Sequence, residues 1–241
     1  MTDSEITVLG DAFANILISH AAHGFATSSL AGMGEITLRD GLVVAAAAVA
    51  AELRQGWLLT REFEPPDWQN ADVDLLISRR GNGGETHLLA GLELKWWRRE
   101  DGGNAANRRK DLVRDFFRAA ALYSLVEQIA FVALLSTSAS WDATATTDGS
   151  DHVAMGMLGT SGAQQWNINP MIASSAVRGA MRDLVGDVPI TNIFHTKLIS
   201  NAALHSNDQR RAFAKVWSVK KPQNSRFLDP DEVETLLLGW P

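Results

Sequence analysis

The chain contains no cysteine among its 241 residues. Disulfide bonds and thiolate metal sites are therefore excluded, and any metal ion must be held by Asp, Glu, His or backbone oxygens. Oxygen ligands favour Mg²⁺, Mn²⁺ or Ca²⁺ over structural zinc.

The sequence also lacks a long apolar segment and a basic N-terminal leader. Its most apolar stretch, residues 42–53, is rich in alanine and far shorter than a bilayer span. The first five residues, Met-Thr-Asp-Ser-Glu, carry no basic side chain. We therefore expect a soluble, cytoplasmic protein that does not enter a membrane.

Three common functional signatures are missing as well. The sequence has no G-x-x-x-x-G-K phosphate loop, no G-x-G-x-x-G dinucleotide turn and no G-x-S-x-G nucleophile turn. These absences argue against nucleotide-cofactor enzymes and serine hydrolases of the familiar kinds.

Hydrophobic periodicity predicts a helix–strand–strand–strand–helix–strand order in the first 137 residues. A helix is expected at residues 10–20, and an alanine-rich helix at residues 43–54 with Asp40 as its N-cap and Gly56 as its stop. Strand patterns follow at residues 57–63, 73–78 and 87–97, then a helix at residues 108–126 and an apolar strand at residues 129–135. This mixture predicts the α/β class, with a central mixed β-sheet flanked by helices.

The pattern is weaker beyond Ser136. Residues 136–150 are predicted to form a connection, residues 170–185 a helix, and residues 190–199 and 212–219 two further strands. Residues 229–232 have the composition of a helix N-terminus, and the predicted helix continues to Leu238. With no internal repeat or linker, the chain is predicted to form a single domain, residues 1–241, with a core at about residues 40–137 and a C-terminal elaboration at about residues 138–241.

Three residues on two neighbouring strands carry the chemistry of this core. Glu93 and Lys95 are two apart on the third strand and should share one face, whereas Leu92 and Leu94 face the other way. Asp74 begins the apolar part of the preceding strand, which a short Gly-rich turn pairs with the third. Two converging carboxylates repel each other unless a cation or a proton lies between them, so a divalent cation flanked by Lys95 is expected here.

Asp74 before Leu75-Leu76-Ile77, together with Glu93-Leu94-Lys95 at the end of an apolar strand, resembles the PD-(D/E)xK nuclease superfamily. The resemblance extends to the order of helices and strands and covers a little over a third of the chain. It implies a restriction-endonuclease-like core that hydrolyses phosphodiester bonds. No proline directly precedes Asp74, and Asp72, two residues earlier, is the alternative to Asp74 in its role.

The resemblance implies a role for each group. Asp74, Glu93 and the backbone carbonyl of Leu94 would bind Mg²⁺ or Mn²⁺, and Lys95 would orient the attacking water or stabilise the phosphorus centre. Glu52, on the helix before the first strand, would act as a further catalytic or metal-binding carboxylate. On the helix after the motif, Lys110 and Arg114 lie one turn apart and would contact the substrate phosphate.

The expected substrate is DNA, with RNA less favoured, and a homodimer could cut both strands. A net charge of −6 argues against indiscriminate polyanion binding, although a local positive surface would suffice. One alternative is a catalytically silent member of the fold that binds nucleic acid or protein. For Glu93 and Lys95 alone, another alternative is an ordinary ion pair on an amphipathic strand.

Overall fold

The computed structural model describes residues 1–98, 105–123, 125–126, 129–145, 152–159, 162–206 and 209–239. Its centre is a seven-stranded mixed sheet with the strand order β1-β2-β3-β4-β7-β6-β5. The strands are β1 Trp57–Phe63, β2 Val73–Arg80, β3 Thr86–Trp97, β4 Ile129–Thr137, β5 Ala163–Asn167, β6 Ile193–Ser206 and β7 Gln209–Lys220. Only β3 and β4 pair in parallel, and every other neighbouring pair is antiparallel.

Helices cover both faces of the sheet. They are α1 Asp3–Ala26, α2 Glu35–Glu52, α3 Ala105–Leu122, α4 Ser138–Ala145, α5 His152–Gly159, α6 Ile168–Met171, α7 Ser175–Leu184 and α8 Pro230–Leu238. The parallel pair β3–β4 is joined through α3, as a crossover connection requires. The predicted α/β class with a mixed sheet flanked by helices is therefore confirmed.

The first face of the sheet packs against α1 and α2. Its core contains Phe13 and Leu17 of α1, Ala46 of α2 and Leu92 and Leu94 of β3. The two helices approach closely, since a Cβ atom built on Gly41 would overlap the imidazole ring of His20. The absence of a side chain at Gly41 leaves room for this approach.

The second face packs mainly against α3 and α4, and α7 packs on the outer side of α3. Phe116 and Phe117 of α3 make edge-on ring contacts with Trp217 of β7 and Phe194 of β6, at centroid distances of 5.4 and 5.5 Å. Since both faces are covered, all nine residues of β4 are buried. The motif strand β3 adjoins β4 and is buried over most of its length.

Several predicted boundaries were wrong. Asp40 is not a helix N-cap, because α2 begins at Glu35 with Gly34 as its N-cap and Asp40 lies inside the helix. The segment predicted as a connection contains α4, while residues 146–151 lie outside the described residues. The helix predicted at residues 170–185 is split into α6 and α7.

The C-terminal region extends the same sheet instead of forming a separate one. The predicted strands at residues 190–199 and 212–219 correspond to the longer β6 and β7, and β7 pairs with β4. The predicted C-terminal helix is α8, with Asp229 as its N-cap in a capping box with Glu232. Across the described residues, no helix has the length and hydropathy that a bilayer span requires.

Candidate active site

Glu93 and Lys95 lie on the face of β3 that packs against α3. Leu92 and Leu94 belong to the core on the opposite face, so the predicted alternation along this strand is confirmed. Lys95 contacts Asp115 of α3, and Glu93 contacts Arg118 one turn further along the helix. The acid Glu93 on the strand therefore faces the base Arg118 on the helix, and the base Lys95 faces the acid Asp115.

Glu93 is almost completely buried, with 1% of its surface exposed. Its Oε2 lies 3.4 Å from a guanidinium nitrogen of Arg118, and its Oε1 is buried without a hydrogen-bond partner. Burial raises the pKa of Glu93 well above its ordinary value, and the carboxylates of Asp74 and Asp115 raise it further against the opposing effect of Arg118. The site therefore favours either a proton or an additional positive charge beside Glu93.

Asp74 lies on β2, on the strand next to Glu93, as the sequence predicted. The paired residues of β2 and β3 run from Leu75 opposite Leu92 to the hairpin end. Just beyond that pair, Oδ2 of Asp74 accepts a hydrogen bond of 2.7 Å from the amide of Leu94. Its Oδ1 lies 2.6 Å from a guanidinium nitrogen of Arg39. Both oxygens of Asp74 are therefore engaged.

Arg39 and Asp72 flank Asp74 in different ways. Arg39, on α2, also binds Glu62 at 2.6 Å, so one guanidinium joins two carboxylates. Asp72 is exposed and lies just before β2 begins. Its backbone carbonyl accepts a hydrogen bond from Arg118. In this arrangement Asp74, and not Asp72, supplies the side chain beside Glu93.

Lys95 has carboxylates as partners and remains partly exposed to solvent. Its Nζ lies 3.5 Å from Oδ2 of Asp115 and 3.9 Å from Oε1 of Glu35, and 18% of its side chain is exposed. The Asp115 carboxylate raises the pKa of Lys95, and this outweighs the opposing effect of burial. The ammonium is therefore charged at neutral pH and retains contact with solvent.

Glu52 does not reach this site. It is the last residue of α2 and is exposed, whereas the site lies beside the first turn of that helix. Glu52 lies seventeen positions after Glu35, which corresponds to about 25 Å along a helix. The carboxylate that α2 brings to the site belongs to Glu35, whose Oε1 accepts a 3.1 Å hydrogen bond from the amide of Trp96. The structure therefore places Glu52 at the opposite end of α2 from the site, and its catalytic role stays a prediction.

Lys110 and Arg114 share one face of α3, as their spacing predicted. Both contact the carboxylate of Asp183 on α7, at 2.8 and 3.7 Å, and Arg114 also contacts Asp111 at 3.6 Å. Their positive charges are thus balanced by protein carboxylates. The proposed contact of these two residues with a substrate phosphate stays a prediction.

The fold brings to the site four charged residues that no sequence pattern indicated: Glu35, Arg39, Asp115 and Arg118. Glu35 and Arg39 were overlooked because the start of α2 was misplaced. Asp115 and Arg118 were overlooked because an acid and a base inside an amphipathic helix usually face solvent. The available signal was the apolar pair Phe116 and Phe117, which lies between them in the sequence and brings both against the sheet, where Asp115 is buried and Arg118 is half-buried.

Each of the three central carboxylates has a cation beside it: Asp74 has Arg39, Glu93 has Arg118 and Asp115 has Lys95. Over the described part of the chain, no group of three or more His, Asp or Glu side chains is arranged to hold a metal ion. Buried ion pairs stabilise folds poorly because desolvation offsets their attraction. Such a cluster is therefore a candidate functional site.

Comparisons with protein-family models, with curated proteins and with solved structures find no match for this chain. The interpretation of the site therefore depends on its geometry and on the chemistry of its side chains.

Proposed function

We propose that this chain is a metal-dependent nuclease with a restriction-endonuclease-like core, acting on DNA in preference to RNA. The observation that carries the proposal is that Glu93 and Lys95 share one face of β3, while Asp74 on β2 accepts a hydrogen bond from the amide of Leu94 between them. The order α2-β1-β2-β3-α3-β4, with β3 and β4 parallel, supports it, because the resemblance implies that order of elements.

The side chains fit a hard divalent cation in part. Glu93 offers a buried carboxylate oxygen without a hydrogen-bond partner, and oxygen ligands suit Mg²⁺ or Mn²⁺. Asp74 would contribute Oδ1 once Arg39 releases it, and the carbonyl of Leu94 would complete the protein ligands. A cation bound there would supply an activated water and neutralise charge on the phosphate.

The protein's own groups would then position the substrate. Lys95 keeps a charged, partly exposed ammonium beside the carboxylates, where it can donate to a phosphate oxygen or orient a water molecule. Arg118 compensates the buried Glu93 and holds the start of β2 through the carbonyl of Asp72. Glu35, close to Lys95, takes the place that the sequence analysis gave to Glu52.

A second candidate function is a catalytically silent module that binds nucleic acid or protein. Two observations favour it: Arg39 and the amide of Leu94 engage both oxygens of Asp74, and each of the three central carboxylates already has a cation beside it. In that case the cluster would be a self-compensated remnant of a metal site.

Cleavage assays separate the two candidates. Purified protein is incubated with supercoiled plasmid, linear duplex, single-stranded DNA and RNA, in Mg²⁺, Mn²⁺ or EDTA. Lys95→Ala tests the site, and Glu52→Gln, at the exposed end of α2, is the matched control.

Metal-dependent cleavage that Lys95→Ala abolishes and Glu52→Gln retains is the expected result. Cleavage that persists in Lys95→Ala would assign the activity to a contaminant and overturn the proposal. If the protein binds nucleic acid but neither cleaves it nor binds Mn²⁺, the result would favour the silent module.

A further inference from the structure

Strand β3, which carries Glu93 and Lys95, contacts helix α3 at three regularly spaced positions. A Cβ atom at Gly91 would lie 2.9 Å from Leu122, Glu93 contacts Arg118, and Lys95 contacts Asp115. Steps of two residues along the strand thus correspond to steps of three to four along the helix. Asp115 is held at the position of Lys95 by the packing of the whole helix against the sheet.

Asp115 is an unusual residue to find in this interface. Only 1% of its surface is exposed, and its neighbours Phe116 and Phe117 are fully buried. Burying a carboxylate costs several kcal/mol unless a cation lies beside it. Lys95, Arg118 and Arg114 are the cations that act on its carboxylate, and Lys95 has the largest effect.

The contact between Asp115 and Lys95 leaves the ammonium able to bind something else. Its distances to Asp115 and Glu35 are 3.5 and 3.9 Å. A direct ammonium–carboxylate hydrogen bond spans about 2.7–2.9 Å. Oδ2 of Asp115 correspondingly has no hydrogen-bond partner. The Asp115 carboxylate fixes the position of the Lys95 ammonium, while the N–H donors of Lys95 stay available to a water molecule or a phosphate oxygen.

We infer that Asp115 is a positioning residue for the nuclease reaction, holding the Lys95 ammonium on the α3 side of the site where it meets the scissile phosphate. The inference rests on the proposed function. Asp115 acts through Lys95 and does not itself touch the substrate. Glu35, 41% exposed and further from Nζ, is a weaker second anchor.

Steady-state kinetics on the DNA substrate test this role. Asp115→Asn keeps the shape of the side chain and removes its charge, so kcat should fall by about 10- to 100-fold, the usual effect of losing a residue that orients a catalytic group. KM should stay within about twofold, because substrate contacts are unchanged. Asp115→Glu should recover part of kcat by restoring the charge. Asp11→Asn, at an exposed position of α1 away from the site, is the matched control and should keep kcat.

Circular dichroism confirms folding at the assay temperature, and Asp115→Ser replaces the amide variant if that variant does not fold. Equal kcat in wild type and the folded, uncharged Asp115 variant would overturn the inference and leave the nuclease intact. A fall in kcat that Asp115→Glu does not relieve, together with a matching rise in KM, would assign Asp115 to general packing. A wild-type protein that cuts no substrate would remove the proposed function and this role together.

Discussion

Replacing Glu93 by glutamine should make the folded protein progressively more stable than wild type as the pH rises. Glu93 is fully buried, and its pKa lies well above the ordinary value of 4.5. The folded chain therefore holds this proton more tightly than the unfolded chain. The stability that Glu93 contributes is complete below about pH 4.5 and is lost as the pH rises through its raised pKa. Glutamine resembles the protonated acid at every pH and lacks this loss.

The size of the effect follows from proton linkage. Each pH unit between the unfolded and folded pKa values changes the free energy of unfolding by about 1.4 kcal/mol. The difference between Glu93→Gln and wild type should thus be small near about pH 5 and should grow with every further pH unit until the raised pKa of Glu93 is passed. Other titrating groups act on both proteins and cancel to first order.

Urea unfolding followed by circular dichroism, at a series of pH values, measures this difference. Glu52→Gln, at an exposed position, controls for introducing an amide. A difference between Glu93→Gln and wild type that does not change with pH would refute the reasoning, because Glu93 would then be ionised in the folded protein with Arg118 as a sufficient counter-charge. Mg²⁺ should flatten the pH dependence, since a cation beside Glu93 favours its ionised form.

Three further predictions concern metal binding, activity and packing. Arg39→Met should raise Mn²⁺ affinity about tenfold by releasing Oδ1 of Asp74; unchanged or weaker binding by calorimetry would show that Arg39 does not compete with the ion. Glu52→Gln should cleave DNA at the wild-type rate, and a loss of kcat above about tenfold would place this end of α2 in the site after all. Gly91→Val should lower the free energy of unfolding by about 1–3 kcal/mol because its side chain would displace Leu122, and an unchanged urea midpoint would contradict that contact.

The strands that carry the motif were predictable because strand patterns are local. Predicted β1 agrees with the observed strand at both ends, and β2, β3 and β4 differ by only a few residues. The alternation along β3 placed Glu93 and Lys95 on one face without reference to the rest of the chain. The turn between β2 and β3 made their pairing, and hence the proximity of Asp74, a short-range inference.

Helix starts and helix partners were not predictable in the same way. Gly34 caps α2 without a side-chain hydrogen bond, so the sequence favoured the stronger capping residue Asp40. Because of that error, Glu35 and Arg39 lay outside the predicted helix, and Glu52 was the acidic residue that the prediction assigned to the site. Because α2 begins at Glu35, its first two turns lie beside the site, and its last turn, which carries Glu52, does not.

The sequence by itself determined the α/β class, the hairpin that carries Asp74 and Glu93, and the shared face of Glu93 and Lys95. These depend on contacts between residues close in the chain or on a repeat of two. Only the tertiary structure decided that Arg39 forms an ion pair with Asp74, that Arg118 faces Glu93 and that Asp115 faces Lys95. Those pairs join residues 20 to 35 positions apart, and they form because packing α2 and α3 on opposite faces of the sheet fixes which charges must neutralise each other in a buried space.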